Sequence, residues 1–185
     1  MRKQKGFSLI ELLIVVAIIL IIAAIAIPNL LAARRSANES SAVGSLRTIN
    51  TAEVSMQAAK SAYTCNLPDL GPAPAGMGYL DQALANAVGA PPCATPKSGY
   101  CFNSGPALLG VASCNAGGAV PVAPPAAPMI DYSWSGEAAS TQTGNGAYCT
   151  DTAAVIYKDP NASPTTQGTA AGCAAGSGGA MVPVS

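Results

Sequence analysis

The residues able to do chemistry are few and unevenly placed. The chain of 185 residues carries six cysteines, nine acidic residues and no histidine. Without imidazole there is no Ser-His-Asp or Cys-His nucleophilic pair, no histidine zinc site and no ordinary general base titrating near neutral pH. Cys65, Cys93, Cys101, Cys114, Cys149 and Cys173 include no C-x-x-C pair, which argues against thioredoxin-like redox chemistry and against a zinc ribbon. An even number of cysteines in an exported segment reads instead as up to three disulfides, and their spacing leaves the pairing open. Asp131, Asp151 and Asp159 could offer oxygens to a calcium ion, but they are scattered and follow no EF-hand spacing, so turns and strand ends are their expected places. No catalytic residue, no metal and no cofactor is expected. An enzyme would need a cysteine or carboxylate centre, and these cysteines look paired.

The remaining acidic residue of interest is Glu11, because of what surrounds it. Residues 7–27 are interrupted only by Ser8 and Glu11 in an otherwise apolar or alanine run, and a helix of that length spans roughly 31 Å, the thickness of a bilayer core. Arg2, Lys3 and Lys5 precede it, so the positive-inside rule keeps the N-terminus in the cytoplasm and sends the rest of the chain outward. A secretory signal peptide begins in the same way, but its apolar core is about 7 to 15 residues and ends in a small-residue cleavage site. Here the run leads directly into Pro28-Asn29-Leu30-Leu31 and further helix-like sequence. A plain single-pass anchor also fits the hydropathy. Two details separate it from this chain. A carboxylate in the apolar run costs about 2.5 to 3.5 kcal/mol near the bilayer centre and less toward its edge, and an anchor has no use for one. Lys5-Gly6-Phe7, in turn, has the look of a peptidase site at the membrane boundary.

The string KGFSLIELLIVVAIILIIAAIAIPNLL, residues 5–31, closely resembles the class III signal and N-terminal helix of type IV pilins and related pseudopilins. The resemblance implies that a membrane-embedded prepilin peptidase cuts between Gly6 and Phe7 and that Phe7 becomes N-methylated. It also makes Glu11 the acidic residue of assembly and Pro28 the helix-bending proline. Cleavage leaves a cationic α-amine on Phe7, one helical turn from Glu11. Between neighbouring subunits the same pair could set the axial offset of one helix against the next, since a desolvated ion pair adds register more reliably than net stability. The expected architecture is α+β: a long N-terminal helix, half hydrophobic and half amphipathic, packed on a small antiparallel meander with disulfide-restrained loops. The expected divisions are a leader at 1–6, a membrane and filament-core helix half at 7–28, an amphipathic half at 29–63 and an exported head at 64–185.

Helical spacing does continue beyond the proline. Ala42, Leu46, Ile49, Glu53, Met56, Ala59 and Tyr63 recur at three- and four-residue intervals, with polar residues between them, which predicts one helix over about 7–62, roughly 84 Å long. Pro28 and Gly44 mark where a bend or a locally opened stretch is expected. Ala17, Ala23, Ala24 and Ala26 allow close helix approach. Within the head, a helix is expected over 79–88 and strands over 98–103, 129–135 and 147–158. The segments 114–128 and 161–185 read as loops. A Cys149–Cys173 bond would staple the C-terminal segment to the last strand, as the family's C-terminal disulfide loop implies. The aromatic residues of the head are expected in core and strands rather than in an electron path.

Charge and partners follow. Nine positives less the three of the leader leave six against nine acidic residues, a net of −3 on the chain beyond the leader, so attraction to nucleic acid is weak. Arg34-Arg35 reads as a pair at the outer water boundary, and the tripeptides Asn38-Glu39-Ser40 and Asn161-Ala162-Ser163 carry no assignment. The function expected is that of the major subunit of a type IV pilus: a homopolymer processed by prepilin peptidase, held in the inner membrane before assembly, and built into an extracellular fibre by an inner-membrane platform and its ATPases. The alternatives are a type II secretion pseudopilin and a minor subunit acting in adhesion or DNA uptake.

Overall fold

Residues 9–27 contain neither glycine nor proline and are rich in Leu, Ile and Ala, which lose little on entering a helix. In the computed structural model they open helix α1, Leu9–Lys60. The structure describes residues 6–64, 66–74, 76–89, 91–104, 132–159 and 182–184. α1 is helical without interruption through Pro28 and Gly44, so no locally opened stretch occurs at either. Proline removes one hydrogen bond and a glycine costs about 1 kcal/mol, and the strong helix formers on either side outweigh both. The helix ends at Lys60, whose charge lies at the negative end of the helix dipole. Ser61 follows in the left-handed region at φ 56° and donates its N–H to Gln57 O at 2.8 Å, which turns the chain off the helix axis.

The chain divides into two compact units, Met1–Arg34 and Arg35–Ser185. In the first, the large apolar side chains of α1 are exposed among the described residues: Leu9, Ile14, Ile21 and Leu30 stand 52 to 79% exposed. Among the described residues this is the helix long and apolar enough to cross a membrane.

The second unit has a core. Ala42, Val43, Leu46, Ile49, Ala52 and Glu53 of α1 are buried, and they lie against a five-stranded antiparallel meander in the order β1 (Tyr100–Ser104), β2 (Ser133–Ala138), β3 (Ala147–Asp151), β4 (Ile156–Asp159) and β5 (Val182–Pro183). Side chains alternate across a strand, so Tyr100, Phe102, Trp134, Tyr148 and Ile156 all enter one core with Leu46 and Ile49. Phe102 pairs with Gly136 in register, and a Cβ there would meet the Phe102 ring at 3.0 Å. The glycine thus makes room for the ring. The α+β architecture expected from the sequence is the one observed, and the aromatic residues do sit in the core. The buried stripe of α1 is shorter than its periodicity suggests, for Met56 is half-buried and Ala59 is exposed.

Three head elements differ from expectation. The helix expected at 79–88 is only α3, Gln82–Ala85, preceded by α2, Leu67–Leu70. Its flanks are engaged elsewhere. Tyr79 and Leu80 donate their N–H groups to Leu70 O, while Phe102 N–H bonds Ala87 O and Gly89 N–H bonds Phe102 O. Asp81 then caps the short turn by accepting Leu84 N–H at 2.7 Å. The strand expected at 147–158 is two strands, β3 and β4, because Asp151 accepts Ala153 N–H on its side chain and Ala154 N–H on its carbonyl, with Ala154 at φ 57°. Such an Asx turn reverses the chain. Part of the segment expected as loop at 161–185 is β5, whose Val182 and Pro183 pair with Lys158 and Tyr157 of β4. At a sheet edge a proline costs no ladder donor.

The strand expected at 129–135 runs instead as Ser133–Ala138; residues 129–131, Asp131 among them, and the expected loop 114–128 lie outside the described residues. Cys93 and Cys101 form a disulfide, a pairing the spacing alone left open, and Cys149 is also disulfide-bonded. Cys65, Cys114 and Cys173 lie outside the described residues, and with them the expected Cys149–Cys173 bond.

Candidate processing and assembly site

The sequence-predicted site residues fall in the first unit. Gly6, Phe7 and Ser8 precede α1 in irregular, exposed backbone, and Phe7 is 82% exposed. A Cβ on Gly6 would meet nothing within 4 Å. Glu11 lies in the first turn of α1, where a carboxylate meets the positive end of the helix dipole. Its Oε2 accepts the backbone N–H of Ser8 at 3.1 Å, and Leu12 N–H reaches Ser8 O at 3.3 Å. This is the Ser-x-x-Glu arrangement of a capping box, in which the glutamate reaches back to satisfy an orphan donor. The view that an anchor has no use for Glu11 is thereby corrected: in the uncut chain it caps the helix. The spacing is legible in the sequence as Ser8-Leu9-Ile10-Glu11. Pro28 lies in the helix interior, on an exposed surface, with no described contact to the other site residues.

Arg34 and Arg35 are exposed. Among the described residues no group of three His, Cys, Asp or Glu side chains gathers that could hold a metal ion. Asp151 closes the β3–β4 turn and Asp159 ends β4.

Two carboxylates in the second unit have partners that their sequence positions do not announce. Glu39, inside a tripeptide given no assignment, accepts Tyr148 Oη–H at 3.0 Å, Asn145 N–H at 3.1 Å and Lys158 Nζ at 3.2 Å. Burial pushes this carboxyl up, but those donors and the lysine charge together hold it below the usual carboxylate value. Asn38 beside it donates its amide to Thr143 O at 2.8 Å. The two tie α1 to the turn before β3. Glu53 is 0% exposed; its position on the buried stripe was legible, its partners were not.

The family described as the prokaryotic N-terminal methylation motif matches residues 1–27, the span that holds Gly6, Phe7 and Glu11. Over 66 residues, 36% of this chain, it is 50% identical to the type IV wide pilus major component PilA4 of Thermus thermophilus, and that region is 50% of the Thermus protein. Over 72 residues, 39% of this chain, it is 43% identical to the type IV major pilin protein PilA of Myxococcus xanthus, of which 33% is covered. The chain thus spans half or less of the length of these relatives. The chain thus joins an N-terminal methylation motif at the head of an apolar helix to a disulfide-bearing antiparallel sheet on the polar part of the same helix, and over part of its length it is similar to two type IV major pilins.

Proposed function

We propose that the chain is the precursor of the major structural subunit of a type IV pilus. Residues 1–6 are a leader that prepilin peptidase removes between Gly6 and Phe7, and Phe7 is then N-methylated. Residues 7–28 hold the precursor in the inner membrane, with the N-terminus cytoplasmic, and afterwards bundle with copies of themselves. Residues 29–63 carry the head, 64–185, to the fibre surface. The observation that carries this reading is the exposure of the apolar half of α1 directly behind the methylation motif. An apolar surface of that length in water is untenable at roughly 25 cal/mol per Å², so it needs lipid first and other such helices later. Glu11 gains a second role on cleavage. The Phe7 nitrogen, a peptide nitrogen in the uncut chain, becomes an ammonium that competes with the Ser8 N–H for the carboxylate, and a neighbouring subunit's ammonium can do the same. An inner-membrane platform and its ATPases add and withdraw subunits. Mass spectrometry of sheared surface filaments tests the proposal. The expected subunit begins at a methylated Phe7 and dominates the preparation; a native polypeptide that still begins at Met1 and remains a lone membrane monomer overturns it.

A further inference from the structure

Glu53 has no task in filament assembly as described above, yet among the described residues it is the most deeply buried carboxylate. It is 0% exposed. Oε1 accepts the indole Nε1–H of Trp134 on β2 at 2.8 Å, and Oε2 accepts the backbone N–H of Thr64, in the segment between α1 and α2, at 3.1 Å. Among the described residues no cation answers the charge. From α2 the group that acts on it is the Asp69 carboxylate, itself held by Thr64 Oγ1–H at 2.9 Å and Asn66 Nδ2–H at 2.8 Å. On α1 itself the nearest buried polar side chain is the neutral amide of Asn50, which is engaged with Thr150 Oγ1 and Tyr132 Oη. Burial pushes the Glu53 carboxyl up to about 7; the Thr64 and Trp134 hydrogen bonds oppose the rise and Asp69 adds to it.

We propose that Glu53 is a pH-sensitive latch: as a carboxylate it clasps β2 and the segment beyond α1 at once, and as a neutral acid it loosens its hold on one of them. Both groups facing it are donors. A carboxylate accepts on each oxygen, whereas a carboxylic acid devotes one oxygen to its proton and finds no described acceptor for it on either side. Protonation therefore weakens either the Trp134 or the Thr64 bond. Ionisation restores both bonds and leaves a buried charge with no cation, which is the less stable state of the core. The device belongs to the head and does not depend on assembly.

Trp134 is the single tryptophan of the chain, so its emission reports on this site directly. The full-length protein in detergent, titrated from pH 5 to pH 9, is expected to show one fluorescence transition centred near pH 7. The transition is expected to vanish in Glu53→Gln and to move to lower pH in Asp69→Asn, where the like charge is gone. A flat wild-type titration overturns the latch, as does a transition that persists in Glu53→Gln with an unchanged circular-dichroism spectrum. Should Glu53→Gln fail to fold, an unmoved midpoint in Asp69→Asn overturns it equally.

Discussion

Residues 9–31 and residues 42–53 belong to one helix and meet opposite surroundings. The first stretch is almost wholly apolar, and its large side chains are exposed among the described residues; the second is apolar along one stripe, and that stripe is buried. Leucine and isoleucine are thus used in two ways. In the second stretch, Leu46 and Ile49 are 0% exposed and drive folding of the head. In the first, equally apolar side chains contribute nothing to intrachain packing, so whatever stability they give comes from lipid or from other copies.

The largest expected effect tests the uncovered stretch. Glu11→Val should leave membrane insertion and leader removal intact while surface filaments fall by at least 100-fold, read as sheared subunit against total cellular subunit. Normal filaments from that strain would defeat the proposed pairing of Phe7 with Glu11.

Next come paired truncations across the two stretches. Trp134→Ala and Leu46→Ala should each cost about 3–5 kcal/mol of head stability, because each leaves a fully buried void. Ile19→Ala, at 58% exposure, should leave urea unfolding of the head unchanged. Circular dichroism serves for all three, and equal losses would mean that the apolar stretch packs within the chain after all.

A smaller effect comes from Glu53. Its folded value lies near 7 against 4.5 for the free group, so its favourable contribution is complete below about pH 4.5 and is lost as pH rises through 7. Between pH 5 and pH 8 the head should lose on the order of 2–3 kcal/mol, a slope absent from Glu53→Gln. Denaturant midpoints at the two pH values settle it.

The smallest effect is at Glu39. Lys158 and Glu39 are 40% and 21% exposed in their side chains, so solvent screens the pair and Lys158→Met should cost only about 0.5–1 kcal/mol. Glu39 is held below its ordinary value, and its contribution is therefore present above about pH 4.5 and lost on acidification. An acid titration of unfolding midpoints should show a shoulder in wild type that Glu39→Gln lacks.

What was legible in the sequence was what short-range order controls. The long helix, the stripe of Ala42, Leu46, Ile49 and Glu53, and strands near 100, 134 and 148 all announce themselves through period and residue type. Where the sequence reading failed, a long-range bond had won over local pattern. The spacing at 79–88 is helical, but Leu70 O and Phe102 claim the backbone groups at both ends. The run at 147–158 is continuous in β-forming residues, yet the Asp151 side chain closes a turn inside it. Val182 and Pro183 form a strand only because β4 offers them an edge.

Residue order alone therefore decided the apolar rod, the basic residues ahead of it and the Ser8-x-x-Glu11 spacing, since each depends on neighbours within a few positions and on the solvent they imply. Tertiary structure alone decided that Cys93 joins Cys101, that Glu39 is clamped by Asn145, Tyr148 and Lys158, and that Glu53 faces Trp134 and Thr64 with no cation beside it among the described residues. Except for the disulfide and the Thr64 bond, these partners lie more than 80 positions apart. Nothing in the spacing of side chains along a strand or helix encodes which distant donor a buried carboxylate will meet.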